Sequence, residues 1–135
     1  MTTNYRATFT SDLRNVGLAR KSVASFARVC GFSEREVADI ALAAGEAISN
    51  AVEHGRSLRS SGFSVRCSYD SDELAIEVRD NGRGFPEPPR AEEIVIEPLR
   101  ERGLGIFLMR QLMNDVSFAR NGNTVRLVRK RMTAE

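Results

Sequence analysis

Cysteine is scarce in this chain, and the two that occur, Cys30 and Cys67, show no metal-ligand spacing. A disulfide scaffold is excluded by their number, and their apolar neighbours predict a pair of reduced, buried thiols in a cytosolic protein. No apolar run approaches the ~20 residues a bilayer crossing takes, so no membrane span is expected. The start, Met1 to Arg6, lacks the charged-then-apolar pattern of a secretory leader. Charge of one sign is also missing: 20 Lys and Arg face 18 Asp and Glu, a net charge of +2 that gives no nucleic-acid footprint. Proline is nearly absent, with all four residues between Pro86 and Pro98. Neither a P-loop with its Lys-Ser/Thr pair nor a strand-to-helix G-x-G-x-x-G is present, which excludes the two commonest nucleotide folds.

The remaining composition, 41% hydrophobic and 28% charged in 135 residues, suits one globular domain over residues 1–135. Tyr5, Ala7 and Phe9 alternate with polar residues and predict a strand. Ser11 or Asp12 can cap a first helix with Val16, Ala19, Val23, Phe26 and Ala27 on its apolar line and Gly31 as its stop. Ser33 and Glu36 form a capping box that opens a second helix running to Gly55. Phe63 to Tyr69 and Leu74 to Val78 predict a hairpin about Asp70 to Glu73. A proline-bearing loop follows Gly84, then a third helix over Leu104 to Asn114, then a closing hairpin of Val116 to Arg120 and Thr124 to Arg129. Strands in hairpin-connected pairs favour an α+β fold: a two-layer sandwich with a mixed, largely antiparallel sheet and helices on one face.

Four features can carry chemistry. Between Ile40 and Val52 only Glu46, Ser49 and Asn50 are polar, and Glu46 and Asn50 stand one turn apart on one side of the helix. A carboxylate among alanines calls for a partner, although a short solvated stripe has the same pattern. Asp80-Asn81-Gly82-Arg83-Gly84 follows an apolar strand; an acceptor-only carboxylate there suits an exocyclic amine, and the glycines let a flat base approach the backbone. A plain polar turn also fits. Arg102-Gly103-Leu104-Gly105, where the loop becomes a helix, suits an anion held by backbone N–H groups, with Arg102 or Arg100 adding charge, or else a hinge. Gly122-Asn123-Thr124 begins the last strand, where the Thr124 hydroxyl could bond a base or Asp80, or simply belong to a turn.

The order E-x-x-x-N on a helix, D-x-G-x-G after a strand, G-x-G at a helix start and G-x-T before a strand resembles the GHKL (Bergerat-fold) family of ATP-binding proteins, which includes gyrase and the histidine kinases. The likeness spans nearly the whole chain. Within the family, the run from Glu46 to Gly55, the stretch Ala19 to Phe26 and the stretch Gly103 to Met109 with Leu112 and Met113 are most similar to the stand-alone anti-sigma-factor serine kinases. The loop from Gly84 to Gly103 matches no strict family pattern.

The resemblance implies ATP and Mg²⁺ as cofactors. Glu46 would be the general base, Asn50 the metal ligand, and Asp80 the reader of the adenine amine. Gly82, Gly84 and Phe85 would frame base and ribose. Arg102, Gly103, Leu104 and Gly105 would meet the phosphates, Thr124 would complete the adenine end, and His54 would be a pocket neighbour. The function implied is that of a protein serine kinase and anti-sigma factor: it would sequester an RNA polymerase sigma factor and phosphorylate a serine on a STAS-domain antagonist. A cytoplasmic homodimer is implied as well, touching no nucleic acid or membrane. Arg14, Arg20, Lys21 and Arg28 on the first helix suit acidic partners or ordinary solvation. The alternative is a non-catalytic regulator that controls a partner through nucleotide-dependent binding.

Overall fold

A computed structural model describes residues 2–57, 62–80, 101–119 and 123–132, with the helical backbone alone at 54–57 and 101–103. The elements are β1 (Thr3–Phe9), α1 (Arg14–Val29), α2 (Glu34–Ser57), β2 (Phe63–Asp70), β3 (Glu73–Asp80), α3 (Glu101–Leu112), β4 (Asp115–Phe118) and β5 (Thr124–Lys130). The strands form one sheet in the order β1-β2-β3-β5-β4, with all four pairings antiparallel. The fold is therefore α+β, a five-stranded antiparallel sheet with three helices.

Strand alternation decides which side the helices cover. Val65, Cys67, Leu74, Ile76, Val78, Val125 and Leu127 share one face by register and are buried. Against them lies the inner face of α2, with Val37, Ile40, Ala43, Ala44, Ala47, Ile48, Ala51 and Val52 all close to fully buried. The alanines keep that helix near both sheet and flanking helices, so α2 is the central rod, with α1 on one side and α3 on the other. Among the described residues no helix is long and apolar enough to cross a membrane.

Local signals account for most element ends. The capping box forms in both directions: the Ser33 N–H donates to Glu36 Oε1 at 3.0 Å and the Glu36 N–H to Ser33 Oγ at 3.1 Å. Gly31, at φ 93°, closes α1, with its N–H on the Arg28 carbonyl and the Phe32 N–H on the Ala27 carbonyl. The start of α1 departs from expectation: Leu13 is the cap residue and supplies no side-chain bond. Asp12 stands one residue outside and accepts the Arg14 N–H at 2.9 Å, so a carboxylate satisfies the first turn from further back. The β2–β3 turn uses two left-handed non-glycine residues, Ser71 at φ 52° and Asp72 at φ 63°. Two positive φ angles give the twist a tight hairpin needs. Asp72 is held there by the Tyr69 hydroxyl at 3.0 Å and Arg131 at 2.8 Å.

Both cysteines are free. Cys67 is buried on β2, which pushes its thiol up to about 12, whereas Cys30, at the end of α1, is only half-buried. Expecting two buried thiols was right for Cys67 alone, because a helix terminus cannot be enclosed like a central strand.

Candidate active site

Arg129 fixes the geometry of the helix layer. Its register on β5 points it to the helix side, opposite Leu74, where its guanidinium donates to Asp39 of α2 at 3.4 Å and to the Leu112 carbonyl at the end of α3. From this clamp α2 runs away and α3 runs back. Glu46 lies two turns beyond Asp39 and Gly105 two turns before Leu112, about 10 Å in each case at 1.5 Å per residue. They meet: a Cβ built on Gly105 would lie 2.9 Å from Glu46 Oε2 and 3.7 Å from its Cδ. The two helices are therefore antiparallel, and glycine at 105 leaves the room in which the Glu46 carboxylate sits.

The second half of the site is on the sheet. Asp80 ends β3 with no exposed surface, on the helix-facing side with Ile76 and Val78. Its backbone N–H donates to the Asn123 carbonyl at 3.0 Å, tying it to the start of β5. There the Thr124 hydroxyl donates to Asn123 Oδ1 at 3.0 Å. Asp80 and Thr124 thus lie at one end of the sheet, away from the Arg129 clamp, with Thr124 paired to Arg79 on the face opposite the Asp80 side chain. Since α2 lies over β3 and β5 and starts at the clamp, it carries Asn50 toward that end. From Asp39 to Asn50 the helix rises about 16 Å, and Arg129 to Thr124 spans about 17 Å of strand.

Glu46 and Asn50 are both half-buried, one turn apart, and neither takes a hydrogen-bond or ion-pair partner among the described residues. A carboxylate and an amide oxygen held there are hard-oxygen ligands and acceptors, suited to a proton or a cation that keeps most of its own waters. Among the described residues no three His, Cys, Asp or Glu side chains gather as a metal cage. The donor set fits a cation delivered with phosphates.

The remaining expected residues divide. Leu104 is exposed on α3. Gly82, Gly84 and Phe85 lie outside the described residues, as do the side chains of His54 and Arg102, and of Gly103 only the helical backbone is described. Gly105, expected to meet the phosphates, shows a steric contact with Glu46. With α3 beginning at Glu101, only the first four N–H groups lack helical partners, and Gly105 comes after them. Its contribution here is space. On α1, Arg14 is paired with Asp12 and Arg28 with Glu34, which leaves Arg20 and Lys21 exposed without local ion pairs among the described residues. Arg20 lies over α2, its Cδ 3.1 Å from where a Cβ on Gly45 would stand. The Arg129 clamp was missed, although its signal was present: Val125, Leu127 and Arg129 alternate in one phase, so an arginine occupies a core-facing position.

A family model described as a histidine kinase-like ATPase domain matches residues 9–129. The serine-protein kinase RsbW of Oceanobacillus iheyensis is 35% identical over 109 residues, covering 75% of this chain and 69% of that protein. Its counterpart in Listeria innocua is 36% identical over the same shares, and that of Bacillus velezensis 28% identical over 89% of this chain and 80% of its own. A solved structure of the RsbU and RsbW domains of Rv1364c from Mycobacterium tuberculosis superposes with a TM-score of 0.70 over 98% of this chain and 34% of that one; at 19% identity it speaks for the fold alone. With the family model spanning nearly all of α1 to β5, this chain belongs to the histidine kinase-like ATPase domain family.

Proposed function

We propose that this protein is a Mg-ATP-dependent serine kinase and anti-sigma factor, which sequesters an RNA polymerase sigma factor and phosphorylates a serine on a STAS-domain antagonist. The observation that carries the reading is the half-buried Glu46 carboxylate seated against Gly105, one turn from Asn50. It is supported by similarity to proteins named serine-protein kinase RsbW.

In this reading Asp80 accepts a hydrogen bond from the adenine amine, with Thr124 beside it, and Gly82, Gly84 and Phe85 border the base. Asn50 holds Mg²⁺ through its side-chain oxygen. Arg102, Gly103 and Leu104, at the start of α3, face the phosphates, where the helix dipole favours negative charge. Bound Mg-ATP supplies the phosphoryl group and the metal charge that offsets its negative oxygens. Glu46 accepts the proton of the incoming serine hydroxyl, and the space left by Gly105 keeps that carboxylate turned to the helix interface. His54, one turn past Asn50, is a neighbour of the pocket. The protein works as a cytoplasmic homodimer, with Arg20 and Lys21 on α1 as the face offered to sigma factor and antagonist.

The test is to incubate the protein with radiolabelled Mg-ATP and the STAS-domain proteins of the same genome. One of them is expected to acquire phosphoserine, and Glu46→Ala is expected to lower the rate by about a hundredfold or more while keeping ATP binding. Tight ATP binding with no transfer to any of them would favour a regulator that uses nucleotide only to control a partner. Transfer by Glu46→Ala at the parent rate would remove Glu46 as the base.

A further inference from the structure

The sheet face turned away from the helices holds an unusual arrangement of charge. One cross-strand row reads Arg6, Arg66, Glu77, Arg126 and Ser117 from β1 to β4. Arg79 stands two residues beyond Glu77 on the same face, diagonal to both Arg66 and Arg126. All four arginines are exposed, Glu77 is half-buried, and none of the five has an ion-pair partner among the described residues. The opposite end of the face carries Asp70 and Glu73 with Lys130, and Asp115 lies on the edge strand. The face is therefore polarised: basic toward the Asp80 end, acidic toward the β2–β3 turn.

Arg6 and Arg66 are direct register partners. Like charges directly opposite each other on one sheet face destabilise it, so folding alone gives no reason for this pair. An anionic ligand does. We propose that the basic half of this open sheet face is a docking surface for an acidic segment of a partner protein, its carboxylates meeting Arg6, Arg66, Arg79 and Arg126. Spaced carboxylates interleaved with hydrogen-bond donors suit a row in which Glu77 sits among arginines. A continuous phosphodiester chain would meet Glu77 as a like charge. No aromatic side chain of the described strands lies on this face to stack a base: Tyr5, Phe9, Phe63, Tyr69 and Phe118 all share the helix side. A second copy packed with basic half on basic half would bring arginines against arginines. The inference does not rest on phosphoryl transfer, since none of these residues belongs to the nucleotide site.

The probe is a fluorescent peptide of alternating glutamate and serine, titrated by anisotropy at several salt concentrations, with a DNA duplex of equal charge alongside. The peptide is expected to bind, more weakly as salt rises. The double variant Arg6→Gln with Arg66→Gln is expected to bind it about tenfold more weakly. Its thermal midpoint should be unchanged or higher, because an opposed pair has gone, which a merely structural role would not produce. Undiminished peptide binding by the double variant would overturn the proposal. So would tighter binding of the duplex, or a dimer in sedimentation that the same two substitutions dissolve.

Discussion

The two halves of α2 are built for different tasks. Its first half is tied down at its acidic groups: Glu34 pairs with Arg28, Glu36 closes the capping box and also accepts the Met132 N–H at 3.1 Å, and Asp39 takes Arg129. The neighbouring β2–β3 turn is held by Arg131 on Asp72 and Tyr69. Two turns further on, Glu46 and Asn50 are similarly enclosed yet make no such bonds among the described residues. Satisfied polar groups lower the free energy of the fold, whereas acceptors held without partners are available to a ligand. One helix thus serves as anchor at one end and as chemical platform at the other.

The largest effect should come from breaking the anchor. Arg129→Met keeps the apolar stem but removes the donor shared by Asp39 and the Leu112 carbonyl. With the arginine side chain only 14% exposed, the loss should be about 3 kcal/mol in urea unfolding, since hydrogen bonds from a charged group contribute more than neutral ones. Because the clamp sets the relative position of α2 and α3, phosphoryl transfer should fall as well, under conditions where the variant is fully folded. A variant as stable as the parent would show that Asp39 and Leu112 are satisfied by water and that the sheet alone sets the helices.

Gly105→Ala does the opposite, disturbing the platform while sparing the anchor. The new Cβ would fall 2.9 Å from Glu46 Oε2, the far end of a flexible side chain, so the carboxylate must turn aside. Alanine favours a helix interior over glycine by up to about 1 kcal/mol, so the urea midpoint should hold or rise. Kinase turnover should drop about tenfold or more, as a displaced base loses reach of its proton. Full activity with Gly105→Ala would separate Glu46 from the chemistry.

This division also explains what the sequence revealed. Strands, helices and the ends marked by S-x-x-E before α2 and Gly31 after α1 were legible because they depend on short-range pattern, whereas the expected Ser11 or Asp12 cap of α1 gave way to Leu13. Helix bounds shifted by a few residues, and α3 begins at Glu101 rather than Leu104, which alters what Gly105 can donate. Asp80 and Glu46 stood out as acids in apolar settings. The steric role of Gly105 and the Arg129 clamp did not, because each depends on a contact between segments far apart in the chain. For Arg129 the alternation of Val125 and Leu127 held the clue, but an arginine in a strand is ordinarily assigned to solvent.

Acid should weaken the anchor at Glu36. Burial by itself raises the pKa of this carboxyl, but the N–H groups of Met132 and Ser33, the Ser33 side chain and the Arg129 charge outweigh it and hold it below its ordinary value. A depressed folded-state pKa gives stability that is present above the unfolded value, about 4.3, and is lost as pH falls through the lower folded one. Asp72, lowered by Arg131 and Tyr69, has the same sign. Glu36→Gln should cost about 1 kcal/mol at neutral pH and flatten the acid limb of the urea midpoint against pH. An acid limb parallel to the parent's would assign the loss to other carboxylates.

The smallest effect is expected at Gly45, where the platform meets α1. A Cβ there would stand 3.1 Å from Arg20 Cδ and 3.8 Å from its Cγ, closer than comfortable packing by a few tenths of an ångström. Arg20 is exposed and has no hydrogen bond or ion pair among the described residues, so its stem can move. The helix-propensity gain of up to about 1 kcal/mol should then exceed the crowding, and Gly45→Ala should be marginally more stable in urea. Its second readout matters more. If Arg20 is held in place over Gly45 to meet a partner, the substitution should weaken capture of the STAS-domain antagonist while leaving ATP affinity unchanged, and Arg20→Ala should weaken it further. Loss of stability by more than about 1 kcal/mol would instead mean that the Arg20 stem is locked against α2 as packing, with glycine retained at 45 to admit it.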